Sequence, residues 1–211
     1  MKERNDTDFD PIGLDRVLSF VKSSSLFYLV MAVIGGLVCF YMHRNLIQLF
    51  SVSAEPNRGF QLLALGLMGA AVLLIASYLF EEQFPSYRAF RHVLMRMVGP
   101  ASVPVAVYLA FISALGEELL FRGALQPVLG LWGTAFLFGL LHLGPQGVIS
   151  IWTIWAVLSG LLLGWIFDAT GSLWPVLICH FLVNVTSLLR LRLQYKRYRA
   201  SRCEKLAPER S

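Results

Sequence analysis

Charge is scarce in this chain. Of its 211 residues 15% are Asp, Glu, Lys or Arg and 56% are hydrophobic, whereas soluble domains carry about a quarter charged residues. That excludes an ordinary soluble domain and leaves a single polytopic membrane domain as the simplest reading. Cysteine is scarce as well. Cys39, Cys179 and Cys203 are odd in number and scattered, with no CxxC pair, so neither a disulfide framework nor a thiolate zinc site is indicated. Cys179 precedes His180, but neighbours on a helix point about 100° apart, which disfavours a Cys/His nucleophile pair. No HExxH is present. The start does not read as a cleavable leader: Lys2, Arg4, Arg16 and Lys22 alternate with Glu3, Asp6, Asp8, Asp10 and Asp15, and no small-residue cleavage site follows the first apolar run.

What is abundant is long apolar stretches. A membrane-crossing helix needs about twenty apolar residues, and six runs qualify or nearly do. They are Leu26–Met42, Phe60–Phe80, Ala101 to about Leu120, a short run over 130–144 bounded by Pro127 and Pro145, 148–167, and 173–189. Gly160 and Gly164 in the fifth run are spaced for close helix packing. Trp132, Trp152, Trp165 and Trp174 fall near run ends, where aromatic belts form. Between the second and third runs, Phe84–Pro100 carries Arg88, Arg91 and Arg96 among apolar residues, a pattern for an amphipathic helix at the interface. Glu81 and Glu82 read as a solvated helix end.

The expected architecture is an all-α bundle of about six transmembrane helices plus that interfacial helix. Residues 1–24 form a polar N-terminal segment, 25–189 the transmembrane domain, and 190–211 a basic tail. The net charge of +5 is concentrated in that tail. Basic flanks stay on the cytoplasmic side, so six spans put both termini inside, in what reads as a bacterial inner membrane. Anionic lipid, rather than nucleic acid, is the expected partner of a basic tail abutting a span. There is no internal repeat.

Between 101 and 189 the charged residues are Glu117, Glu118, Arg122 and Asp168, with His142 and His180 beside them. Asp168 reads as a loop residue in "FDATGS". The rest lie in or near hydrocarbon, where a charge costs several kcal/mol and persists when it is paired or lines a wet cavity. Glu118 and Arg122 are four apart, share a helix face and can pair; Glu117 then faces elsewhere, into a cavity. His180 and Asn184 share a face in the same way. Singly, such residues are more often interhelical hydrogen-bond partners. Together they assemble the parts of a hydrolase: a carboxylate to activate water, imidazoles to share it, and an amide to hold an oxyanion. Metal-free catalysis by Glu117, with no cofactor, is the first reading. Zinc held by Glu117, His142 and His180 is the alternative, since Glu plus two His is a catalytic zinc set. A proton-coupled transporter would predict inverted repeats with broken helices, which are absent. A non-catalytic scaffold or immunity factor would tolerate loss of Glu117.

"EELLFR", "FGLLH" and "HFLVN", in that order on successive apolar runs, resemble the EExxxR, FxxxH and HxxxN motifs of the CPBP family, the CAAX prenyl protease 2-like or Abi intramembrane endopeptidases. The resemblance covers about 103–189. It implies a helical intramembrane peptidase with Glu117 as the water-activating base, Glu118 and Arg122 supporting it, and His142, His180 and Asn184 completing the site. It also implies a membrane protein or a lipidated or C-terminally tagged protein as substrate. Members of the family are often labelled metalloproteases, while the eukaryotic relatives look like glutamate proteases. Prenyl proteases of the family tend to have eight spans. A chain with about six resembles a small bacterial processing enzyme more closely.

Overall fold

The computed structural model describes residues 11–52, 55–144 and 150–206, and the regular elements among them are all helical. They are α1 (Pro11–Tyr41), α2 (Leu46–Phe50), α3 (Arg58–Gln83), α4 (Pro85–Val98), α5 (Val103–Glu118), a π-helical segment (Leu119–Leu125), α6 (Gln126–Leu141), α7 (Ile151–Thr170) and α8 (Leu173–Leu206). The all-α membrane bundle expected from the apolar runs is what forms. Among the described residues five helical stretches are long and apolar enough to cross a membrane: Val17–Tyr41, Arg58–Gln83, Val103–Leu141, Ile151–Thr170 and Leu173–Arg202.

The difference from six lies in the third stretch. Its 39 residues would measure about 58 Å as a straight helix, nearly twice the ~30 Å hydrocarbon layer. It is not straight. Gly130 has φ 68° and ψ 176°, a region that only glycine enters at low cost. The chain reverses there: the Phe121 and Phe138 rings lie 4.9 Å apart, and Glu117 meets His142 at 3.9 Å. Both pairs are centred on Gly130. The third and fourth apolar runs are therefore two antiparallel arms of one helical hairpin.

The remaining elements wrap this hairpin. α1 lies along α5 and the π-helical segment, α7 packs on α6, and α8 packs on α3 and α5. Gly160 lets α7 approach Ala135 and Phe138, and Gly164 approaches Leu131 and Gln126, so the small-residue spacing serves close packing as its pattern indicates. α1 begins at Pro11, fifteen residues before its apolar run, and α8 continues to Leu206, helical across the junction between the last span and the basic tail. One core joins Leu73, Tyr87, Trp155, Leu163, Ile166, Val176 and Cys179 across α3, α4, α7 and α8. A smaller one joins Met31, Phe121, Phe138 and Ala156. Outward faces of α1 and α3 expose Phe27, Val33, Phe40, Phe60, Met68 and Ile75, the all-round apolar character of helices that meet lipid.

α4 is amphipathic, as its arginine spacing suggests, but its docked stripe is unexpected: Tyr87, Arg91, Met95 and Val98 are all buried. Glu81 is not a solvated end. It is covered by α4 and α8, pairing with Arg91 at 3.3 Å and Arg190 at 3.1 Å. Asp168 is not in a loop either; it lies in the last turn of α7 and accepts a 2.7 Å hydrogen bond from Gln126.

Candidate active site

Glu117 and Glu118 end α5, and the helix then widens into the seven-residue π segment. π turns re-aim side chains and recur at functional sites. Here consecutive carboxylates diverge, as their adjacency requires. Glu118 turns into the protein, fully buried against Arg122, with Oε2–Nε 3.2 Å and Oε1–Nη1 3.3 Å. Arg122 also donates to the Gly160 carbonyl at 3.0 Å and lies 5.1 Å from the Phe138 ring centroid. The ion pair thus ties the first hairpin arm to α7 and to the second arm. Gly116 presses on the Tyr28 carbonyl, 2.7 Å from where a Cβ would stand, which brings α1 against this end of α5.

Glu117 faces the other way, into a cavity of about 260 Å³ bordered by α1, α3, α4, α5, α7 and α8. The imidazoles converge on it. His142 Nε2 lies 3.9 Å and His180 Nε2 3.8 Å from the same carboxylate oxygen. That oxygen, Glu117 Oε2, is buried and has no hydrogen-bond partner. The distances are too long for direct bonds and suit one bridging water. Each ring is held from behind. His142 Nδ1 lies 2.8 Å from the Phe138 carbonyl, which only accepts, so Nδ1 carries a hydrogen and Nε2 is the atom turned toward Glu117. His180 Nδ1 lies 2.6 Å from Glu118 Oε1. Glu118 therefore positions His180 as well as pairing with Arg122.

Asn184, one turn after His180, donates from Nδ2 to Ser113 Oγ at 2.9 Å and lines the cavity with its amide. All four residues expected to form the site, Glu117, His142, His180 and Asn184, border one space. Cys179 faces away: it is fully buried in the main core, with its sulfur against Gly69 of α3.

Three participants escaped the sequence. Ser113 stands four residues before Glu117, on the same face, and that spacing is a signal available in hindsight. Tyr28 lines the cavity and its side chain interacts with Glu117, but nothing in the α1 run marks it. Arg91 borders the same cavity, although its segment reads as interfacial. Beside it Tyr87 shares a 3.0 Å hydrogen bond with Ser77, and burial pushes its phenol pKa up, keeping it protonated.

A metal reading meets this geometry directly. Two ligand atoms on tetrahedral zinc stand about 3.3 Å apart for ~2 Å bonds, closer than either His–Glu117 separation. Among the described residues no group of three or more His, Cys, Asp or Glu is spaced to hold a metal ion.

Comparison with known proteins falls on the same region. Residues 99–186 match the Rce1-like family model, described as type II CAAX prenyl endopeptidase Rce1-like. The chain is similar to the uncharacterized protein YpbD of Bacillus subtilis (strain 168), 25% identical over 177 residues, covering 82% of this chain and 89% of the relative. No solved structure matches. The matched stretch holds Glu117, Glu118, Arg122, His142, His180 and Asn184 together, and the match supports the resemblance to the CPBP family of CAAX-protease-type membrane proteins.

Proposed function

We propose that the chain is an intramembrane endopeptidase that hydrolyses a peptide bond near the membrane-embedded or C-terminal part of a protein substrate. The observation carrying this reading is the convergence of His142 and His180 on one unpartnered oxygen of Glu117, within 3.9 Å, in a cavity that Asn184 also borders.

In this mechanism a water lies between Glu117 and the two Nε2 atoms. Glu117 takes one of its protons, with His142 orienting it through Nε2. The hydroxide attacks the scissile carbonyl carbon. The oxyanion accepts from the Asn184 N–H that Ser113 does not use. It also accepts from His180, whose ring has carboxylates on both sides and serves as imidazolium. Glu117 then passes its proton to the departing amine. Oxyanion donors of this kind contribute about 10²–10³ in rate each. No step is routed through a metal, and retained activity in EDTA is the corresponding expectation. The family points to a membrane-associated or prenylated protein as substrate. Both termini are assigned to the cytoplasm on the basic flank that follows the last span. The basic helix end beyond Arg192 is assigned to anionic lipid.

The test compares membrane-protein C-termini, by mass spectrometry, in cells expressing wild type, Glu117→Ala or His180→Ala. The expected result is a set of shortened C-termini present with wild type alone. Full processing by either variant at normal expression points instead to a scaffold or immunity role.

A further inference from the structure

The active-site cavity contains a cation the mechanism does not use. Arg91 is 5% exposed, and its Nε and Nη2 atoms are buried with no hydrogen-bond partner. Its neighbour Glu81 approaches Nε at 3.3 Å without the alignment of a hydrogen bond. Glu81 is moreover shared: its same oxygen pairs with Arg190 at 3.1 Å. Two guanidiniums face one carboxylate, so the cluster carries one excess positive charge. Buried guanidinium N–H groups are costly to leave unpaired, and a planar fork with open donors fits a carboxylate. The surrounding walls are Ser77, Tyr87, Leu94 and Val98, and the cavity they enclose is continuous with the one bordered by Glu117.

We propose that Arg91 is a specificity residue that binds a carboxylate of the substrate peptide and so sets which bond lies over Glu117. This rests on the peptidase reading. A peptide whose terminal or side-chain carboxylate reaches Arg91 is held in register with Glu117. An uncharged end leaves those donors open and the register free. Arg91 lies on α4, outside the residues that match the family model, 99–186.

The experiment uses the full chain in lipid nanodiscs and a mixed-sequence peptide library made in three forms: free C-terminal acid, C-terminal amide, and amide with a final Asp or Glu. Cleavage is followed by mass spectrometry. Wild type is expected to favour the carboxylate-bearing forms at least tenfold over the plain amide, expressed in KM. In Arg91→Gln that preference falls to near unity, with the loss confined to the carboxylate-bearing forms. The acidic-amide arm tells whether a side chain replaces the chain terminus. Equal cleavage of acid and amide by wild type overturns the subsite and leaves the peptidase standing, and so does an Arg91→Gln loss shared equally by all arms, which marks a structural ion pair. No cleavage of any arm by wild type removes the peptidase reading and the subsite together.

Discussion

Glu118 and Arg122 differ from Glu117 in what their removal does. Both are fully shielded, and each is the other's counter-ion. Deleting one member of a buried pair leaves an uncompensated charge and typically costs about 3–5 kcal/mol. Arg122→Met is therefore expected to lower thermal stability by that order, read as a reduced melting temperature in detergent. Glu117→Gln, removing a carboxylate with an unpartnered oxygen, is expected to leave it within about 1 kcal/mol. The reverse ranking contradicts the division of labour between the two adjacent acids. Their separation was legible in the sequence, because adjacent helical residues diverge and an Arg four residues on picks out one of them. The bond from Glu118 to His180 was not. It depends on how closely α8 approaches α5, and spacing within one helix carries no such information. Arg91 and Glu81 were misread for a related reason. A span end ordinarily meets water, and only the packing of α4 and α8 over the end of α3 covers Glu81, while Glu82 stays exposed.

At the scale of elements, the site depends on a helical hairpin whose arms return to register 25 residues apart, from Glu117 to His142. Gly130 sets that return with a backbone conformation closed to other residues. A Cβ at this position meets open space, so any defect in Gly130→Ala comes from the backbone alone. Strain of this kind costs about 1–3 kcal/mol. Its relief shifts the second arm and moves His142 from Glu117. The expected outcome is a fall in kcat of tenfold or more with a smaller effect on KM, measured on any peptide the wild type cleaves. Wild-type kcat places the turn elsewhere. The hairpin was half visible beforehand. Two apolar runs were evident, separated by "QPVL", but the helix resumes directly after the turn, so the described residues hold five long apolar stretches, the third of them folded into two arms.

Over the whole molecule, apolar composition determines the class of fold and the exceptions to it determine the site. Four charged residues and two histidines between 101 and 189 were conspicuous against hydrocarbon, which is why Glu117, His142, His180 and Asn184 were legible without a structure. Polar residues outside that region had no such contrast. Tyr28, Arg91 and the Glu81 cluster lie among interfacial or aromatic neighbours and gained meaning only when α1 and α4 closed the cavity around Glu117. The bundle therefore has two parts: residues 99–186, which match the family model and hold Glu117, His142, His180 and Asn184, and flanking helices that close the cavity around them.

The claim on which the rest depends is that Glu117 activates a water for attack on a peptide bond. It is tested most directly by digesting a susceptible peptide with the purified chain in H₂¹⁸O. The wild-type protein should place one ¹⁸O in the new C-terminal carboxyl group. Glu117→Gln, folded to the same melting temperature, should release product at least a thousandfold more slowly. Labelled product from Glu117→Gln at the wild-type rate contradicts the account.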